Sequence, residues 1–146
     1  MADLVDAMKK LHADNFAFYL KSHYYHWNVE DKDFKEFHAF FEEIYTMAWD
    51  DADGIAEHIR AINAYAPGSL GRFAELTSIV DDVTVPIAIA MVQNLYDDLQ
   101  KVCDSIMVAY TAANDANEIG LSNFLQDKYD TRKKLAWQLR ATLARH

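Results

Sequence analysis

Apolar residues recur at helical spacing along four long stretches of the chain, and each stretch predicts one helix. The predicted helices cover residues 2–28, 33–62, 85–113 and 117–144. The stripe of the last helix includes one charged position, Arg132. Four long amphipathic helices of this kind can bury their apolar stripes only against one another.

The helical period breaks between residues 64 and 82, where Pro67, Gly68 and Gly71 occur. A short apolar stretch from Phe73 to Ile79 within this segment predicts one or two helical turns. Pro86 is expected in the first turn of the third long helix, where a missing N–H costs little. The chain is therefore predicted to be all-α, a single ferritin-like four-helix bundle over residues 1–146. Its one long crossover contains a short helix between helices two and three.

The composition supports a helical domain and excludes several other classes. Apolar residues make up 51% of the chain, which excludes wholesale disorder, and four glycines with two prolines are too few to punctuate a sandwich or barrel. No apolar run is long enough to span a membrane, and the charged N-terminus lacks the pattern of a signal peptide. The single cysteine, Cys103, fits a reducing compartment, so we expect a cytoplasmic protein.

The charge is strongly acidic and unevenly distributed. The formal net charge is −9, yet residues 128–146 carry six of the fourteen Lys and Arg residues and one acid. The acidic remainder predicts weak non-specific binding to nucleic acids, whose affinity comes mainly from neutralised phosphates. It also predicts attraction of cations.

A second stripe on helix two carries side chains that could bind a metal ion. It consists of His38, Glu42, Tyr45, Trp49, Asp53 and Glu57, and His26 lies close in sequence near the end of helix one. Imidazole combined with carboxylates is a ligand set that suits iron, manganese or zinc. A stripe that also carries two aromatic residues is equally compatible with a subunit interface that binds no metal.

Helix geometry separates these residues into two groups. His38 and Asp53 are fifteen residues apart, which corresponds to about 22 Å along a helix. One metal ion cannot bind both, so one chain offers a histidine end (His26, His38, Glu42) and a carboxylate end (Asp53, Glu57). Two antiparallel copies would place the histidine end of each chain against the carboxylate end of the other, which gives two equivalent sites.

Several of these residues also carry a family resemblance. They are the run His26-Trp27-Asn28-Val29, then Phe34, His38, Glu42, Asp53 and Ala56-Glu57, the loop Ala66-Pro67-Gly68-Ser69-Leu70 with Phe73, Glu75-Leu76 and Ile79, and Lys134 and Trp137. This pattern resembles the Dps family, the miniferritins also called DNA-protection-during-starvation proteins. The resemblance covers nearly the whole chain.

The resemblance implies a homo-oligomer, a hollow dodecamer built from twofold dimers, with ferroxidase sites at the dimer interfaces. Fe(II) would be oxidised there, preferably by hydrogen peroxide rather than dioxygen, and stored as a ferric mineral. The family's iron ligands fall on His26, His38, Glu42, Asp53 and Glu57. The chain contains no Glu-x-x-His, the motif of ferritin-like di-iron sites within one bundle.

The chain departs from the family pattern at a few positions. The family commonly has Asp at the position of Glu42, and Glu keeps the charge while adding a methylene. Arg is usual at the position of His58, which we interpret as a neighbour of the site. Asn123 stands where an acid often lines the iron-entry pore.

Two other functions are alternatives to iron storage. A DNA-condensing protein is the alternative that the family name suggests, but only Met-Ala-Asp precedes the first helical stripe, so we expect no basic N-terminal extension. The basic residues of 128–146 are then the candidate DNA-binding patch. A purely structural cage with inactive sites would not need all five ligands.

Some histidines and aromatic residues remain outside the predicted ligand set. His23 lies one turn from His26 and is a candidate auxiliary group. Trp27 is a candidate electron donor to oxidising species, whereas packing is the simpler interpretation of Tyr45 and Trp49. His12 and His146 are expected at the surface.

Overall fold

The computed structural model describes all residues from 1 to 146 and contains helices but no strands. The helices are α1 (Ala2–Asn28), α2 (Phe34–Ala61), α3 (Leu70–Leu76), α4 (Ala88–Asp115) and α5 (Ile119–Leu143). The all-α prediction is confirmed, with one short and four long helices. None of the five combines the length and the apolar character that crossing a membrane requires.

The helices pack as two antiparallel pairs, because only short turns join α1 to α2 and α4 to α5. Helix α1 packs against both α2 and α4, and α4 packs against α5. The predicted apolar stripes face the interior, where Phe41, Ile44, Leu95 and Leu99 are almost completely buried. The core therefore runs the length of the bundle and holds α2 along its whole extent.

Helix α4 begins later than the sequence predicts. Its first residue is Ala88, and Pro86 lies outside the helix rather than in its first turn. The side chain of Asp82 accepts hydrogen bonds from the backbone N–H (2.9 Å) and the hydroxyl (2.6 Å) of Thr84, which fixes a turn in the crossover. Ile87 then adopts an extended conformation as the N-cap, so the helix cannot begin at the proline.

Helix α3 lies against α1. The hydroxyl of Ser69 caps its N-terminus by accepting a hydrogen bond from the backbone N–H of Arg72 at 3.2 Å. The ring of Phe73 stacks on Phe16 at 4.6 Å and meets the edge of His12 at 5.2 Å. The expectation that His12 lies at the surface is therefore wrong, because the crossover folds back over α1 and buries this side chain.

A buried carboxylate joins the crossover to the bundle. Asp14 of α1 is fully buried, and its side chain accepts hydrogen bonds from the hydroxyl of Thr77 and from the backbone N–H of Ser78, both at 2.7 Å. The hydroxyl of Ser105 in α4 donates to its other oxygen. Buried charge is tolerated only when it is fully hydrogen-bonded, and these contacts provide that.

The charged position in the stripe of α5 also has a structural explanation. Arg132 is almost fully buried, and its guanidinium donates to Asp51 of α2 and to the side chain of Asn15 in α1. Lys128 lies 3.1 Å from the other oxygen of Asp51. These contacts connect α5 to the middle of α2, between the two groups of predicted ligands.

Candidate metal centre

Two histidines face each other where α1 ends and α2 begins. Nδ1 of His26 donates to the backbone carbonyl of His38 at 2.7 Å, and Nδ1 of His38 donates to the carbonyl of His26 at 2.8 Å. Their rings stack with centroids 3.7 Å apart. Because a carbonyl only accepts, both Nδ1 atoms carry hydrogen, which leaves Nε2 of each ring as the nitrogen that can bind a metal ion.

A tight turn produces this reciprocal pair. The backbone N–H of Val29 bonds to the carbonyl of Tyr25 at 3.0 Å and closes α1, and Val29 itself is buried. The carboxylate of Asp31 accepts a hydrogen bond from the N–H of Asp33 at 2.8 Å and shapes the turn that starts α2. The last turn of α1 therefore lies beside the first turn of α2, and the two histidines meet.

Glu42 lies one turn after His38 on the same face of α2. Its Oε1 is 3.9 Å from Nε2 of His26. The side chain of His26 is 9% exposed, whereas that of Glu42 is 59% exposed. The fixed imidazole and the accessible carboxylate together form an open half-site that faces outwards.

Asp53 and Glu57 are exposed and occupy the other half of α2, one turn apart. They share one unbroken helix with His38, so the distance from His38 to Asp53 remains about 22 Å. No group of three or more His, Cys, Asp or Glu side chains within the chain could hold a metal ion. The structure thus pairs His26 with His38, places Glu42 3.9 Å from His26 without forming a complete three-ligand group, and keeps Asp53 and Glu57 apart from them.

Aromatic rings surround the histidine end. The ring of Tyr45 lies 5.0 Å from that of His26, and the ring of His23 stacks on Tyr45 with centroids 3.8 Å apart. Trp27 packs on His23 at 4.1 Å. The hydroxyl of Tyr19 hydrogen-bonds Nδ1 of His23 at 2.9 Å.

The electrostatics of His23 follow from this environment. Burial lowers the pKa of His23, and the neighbouring His26 lowers it further, which outweighs the opposing effect of Glu42. Both effects favour the neutral ring of His23 at pH 7. Tyr19 is not among the residues that the sequence predicts for the site, although it lies four residues from His23 on the same helix, a spacing that brings side chains together.

His58 points away from the candidate ligands and towards α5. Its Nδ1 donates to the carbonyl of Gly54 at 2.7 Å, and its ring stacks on Phe124 at 4.0 Å. A Cβ atom at Gly54 would lie 3.3 Å from the ring of Phe124, so the glycine permits this close packing of α2 on α5. His58 thus contributes to the contact between α2 and α5.

Comparison with known proteins identifies a ferritin-like domain over residues 5–146. General stress protein 20U of Bacillus subtilis is 29% identical over 140 residues, which cover 96% of this chain and 97% of that protein. The DNA protection during starvation protein of Brevibacillus brevis is 30% identical over 125 residues, covering 86% of this chain and 84% of the relative.

Solved structures agree with these matches. The Dps protein of Vibrio cholerae, a ferritin-like diiron-carboxylate protein, superposes with a TM-score of 0.92 at 29% identity, covering 96% of this chain and 88% of that one. The Dps protein of Bacillus brevis has a TM-score of 0.92 at 27% identity, with 96% and 94% covered. Dps from Staphylococcus aureus, at 24% identity and a TM-score of 0.95, supports the fold alone.

The bundle with its single long crossover and the matched domain define the class as ferritin-like, which confirms the predicted architecture. Within this class, the chain belongs to the Dps family, the miniferritins. The family resemblance of the sequence is therefore confirmed.

Proposed function

We propose that this chain is the subunit of an iron-oxidising and iron-storing shell. It binds Fe(II), oxidises it with hydrogen peroxide or dioxygen, and stores the ferric product as a mineral inside a hollow dodecamer, which protects against oxidative damage. The observation that carries the proposal is the reciprocal His26–His38 pair, in which both Nδ1 atoms donate to the backbone and Nε2 of His26 lies 3.9 Å from Glu42.

The donor set suits this substrate. Neutral imidazole nitrogens bind Fe(II), and carboxylate oxygens bind both Fe(II) and Fe(III), so the ligands tolerate a change of oxidation state. The stacked histidines are held by the backbone, whereas the exposed Glu42 can move to meet an ion. Its extra methylene, compared with the aspartate common in the family, lengthens its reach.

A second copy completes the site. Under a twofold axis perpendicular to α2, Asp53 and Glu57 of one copy approach His26, His38 and Glu42 of the other, and the dimer contains two equivalent sites. The exposed positions of Asp53 and Glu57 are compatible with this arrangement. The net charge of −9 favours the approach of Fe(II) to the assembled shell.

A subunit-mixing experiment tests whether the site is shared. We expect that His38→Ala and Glu57→Ala each abolish most ferroxidase activity when present in every chain. After the two variants are unfolded, mixed and reassembled, about half of the dimers are mixed, and each of these has one intact site of two. About a quarter of the wild-type activity should return, measured as ferric absorbance in the near ultraviolet after addition of Fe(II) and peroxide.

The matched control mixes His38→Ala with His26→Ala. Both changes affect the histidine end, so every site in a mixed dimer keeps one defect, and no activity should return. If the first mixture forms intact shells by size-exclusion chromatography but recovers no more activity than the control, the shared site is rejected.

A further inference from the structure

We propose that a second copy of this chain seats its Trp27 in an aromatic groove at the carboxylate end of α2. The same contact then holds the two halves of the metal site against each other. This inference rests on the proposed function, because it takes from it the twofold arrangement of two copies.

The groove lies between α1, α2 and the crossover, and it is open to the surface. Its volume is about 610 Å³. Its aromatic lining consists of Phe16, Tyr19, Trp49 and Phe73. Two carboxylates, Asp50 and Asp53, line the same groove, and Trp49 is 58% exposed in the single chain. An open aromatic groove with acidic groups fits an aromatic side chain that carries one hydrogen-bond donor.

Trp27 is a side chain of this kind. One side of its ring packs on His23, with ring centroids 4.1 Å apart, yet the residue is 59% exposed. An indole combines a large apolar surface with a single donor, Nε1–H, which pairs well with a carboxylate. Asp50 is exposed and is not among the predicted metal ligands, so its carboxylate is available as the acceptor.

The twofold arrangement brings Trp27 of one copy to the groove of the other. Trp27 follows His26, whose ring stacks on His38 with centroids 3.7 Å apart, so it lies at the histidine end. In the proposed site this end faces Asp53 and Glu57 of the second copy. Asp53 also lines the groove. The exposed indole of each copy therefore meets the groove of the other.

The groove and Trp27 also share one face of α1. Successive spacings of four, three, four and four residues place on this face His12, Phe16, Tyr19, His23 and Trp27. The first three line the groove, and the last is exposed at the opposite end. A twofold axis perpendicular to this face exchanges its two ends, so the contact forms twice in each dimer.

Tryptophan fluorescence tests whether Trp27 is covered in the assembled protein. In a chain with Trp49→Phe and Trp137→Phe, Trp27 is the only tryptophan, and the groove keeps an aromatic ring at position 49. We expect the shell to show blue-shifted emission and several-fold weaker quenching by acrylamide than the same chain unfolded in urea. Emission typical of an exposed indole in an intact shell would overturn the proposal.

A variant of the groove shows whether the groove provides the cover. Ala52 lines the groove from α2, so Ala52→Phe in the same background narrows it and should restore the quenching of Trp27. The matched control is Ala141→Phe, at an exposed position of α5, which should leave Trp27 protected. Trp27 that stays protected in an Ala52→Phe shell is not seated in the groove.

Photo-crosslinking locates the contact without any change to the groove. Shells are reassembled from isotope-labelled and unlabelled chains that carry benzoylphenylalanine in place of Trp27, and are then irradiated. We expect bonds between two chains, mapped by mass spectrometry to residues 12–19, 49–56 or 67–73. The same group in place of Trp137, an exposed tryptophan of α5, should not label these segments. Attachment within one chain, or to α4 or α5 of a second chain, would contradict the proposed seat.

Ferric absorbance after addition of Fe(II) and peroxide is recorded on the wild-type shell in parallel. If Fe(III) forms while Trp27 is exposed or labels another surface, the seat is rejected and the iron function stands. If no Fe(III) forms although Trp27 is protected and labels the groove, the seat stands and the proposed oxidation fails.

Discussion

The chemistry of single histidines in this chain depends on the backbone groups and the burial around them. At the candidate site, two carbonyls fix the protonated nitrogen of His26 and of His38. His12, in contrast, has no partner for its Nδ1. Its side chain is buried, with the residue only 6% exposed. Burial lowers the pKa of His12 more than a backbone hydrogen bond with Pro67 raises it. Folding therefore favours the neutral ring.

The pKa of His12 predicts a dependence of stability on pH. The unfolded chain takes up a proton near the ordinary value of 6.5, whereas the folded chain does so only at lower pH. The free energy of unfolding should therefore fall as the pH decreases below 6.5, until the folded state is also protonated. We expect urea unfolding between pH 7.5 and about 5 to show a shallower loss in His12→Leu than in wild type.

The matched control is His146→Leu, at an exposed position. It should keep the wild-type slope, because this change lies at an exposed position outside the packed helices. Equal slopes for His12→Leu and wild type would show that this histidine does not limit stability in acid.

Helices α2 and α5 are joined by a charge-paired contact in addition to apolar packing. The side chain of Arg132 is 3% exposed, and its main counter-ion, Asp51, is 17% exposed. Lys128 also pairs with Asp51. Since the contact lies midway along α2, it positions the helix that carries both predicted halves of the metal site.

Removing one member of this pair should be costly. Asp51→Ala leaves a buried guanidinium without its counter-ion, and we expect the free energy of unfolding to fall by about 3 kcal/mol. Asp50→Ala, at the exposed neighbouring position, should change it by less than about 0.5 kcal/mol. The measurement is urea unfolding followed by circular dichroism.

The double variant Asp51→Ala with Arg132→Met separates charge from packing. Replacing the buried cation with an apolar side chain of similar length should recover most of the loss. A double variant as unstable as Asp51→Ala would instead assign the cost to packing.

At the scale of the whole molecule, the charge distribution governs which partners approach. The chain carries a net charge of −9, and two of the six basic residues in 128–146, Lys128 and Arg132, are already paired with Asp51. Lys133, Lys134, Arg140 and Arg145 remain exposed. Four exposed cations on a strongly acidic body are a weak basis for binding a polyanion.

We therefore expect linear double-stranded DNA to migrate unretarded in the presence of the shell at about 0.15 M salt and neutral pH. The measurement is an electrophoretic mobility shift, repeated at low salt, where the acidic surface should still repel DNA. Retardation that is lost in Lys133→Gln/Lys134→Gln would contradict the expectation and favour the DNA-condensing alternative.

The helices and the residue types of the site could be predicted from the sequence because both depend on local spacing. Apolar periodicity determines where long helices run, and the ends of α1, α2 and α5 lie within two residues of the prediction. The separation of His38 from Asp53 follows from the rise of one helix, whatever packs around it. Which residues share one metal ion stays a prediction, because this depends on a second copy.

Tertiary packing alone decided the features that join distant segments. His12 is buried because the crossover returns over α1, and α4 begins after Pro86 because Asp82 fixes a turn there. Arg132 is tolerated inside the bundle because Asp51 of another helix meets it. Likewise, the bond of Tyr19 to His23 depends on side-chain orientations that the packing of α1 on α2 selects. Local periodicity carries no information about these contacts between distant segments, because they form only when the helices pack against one another.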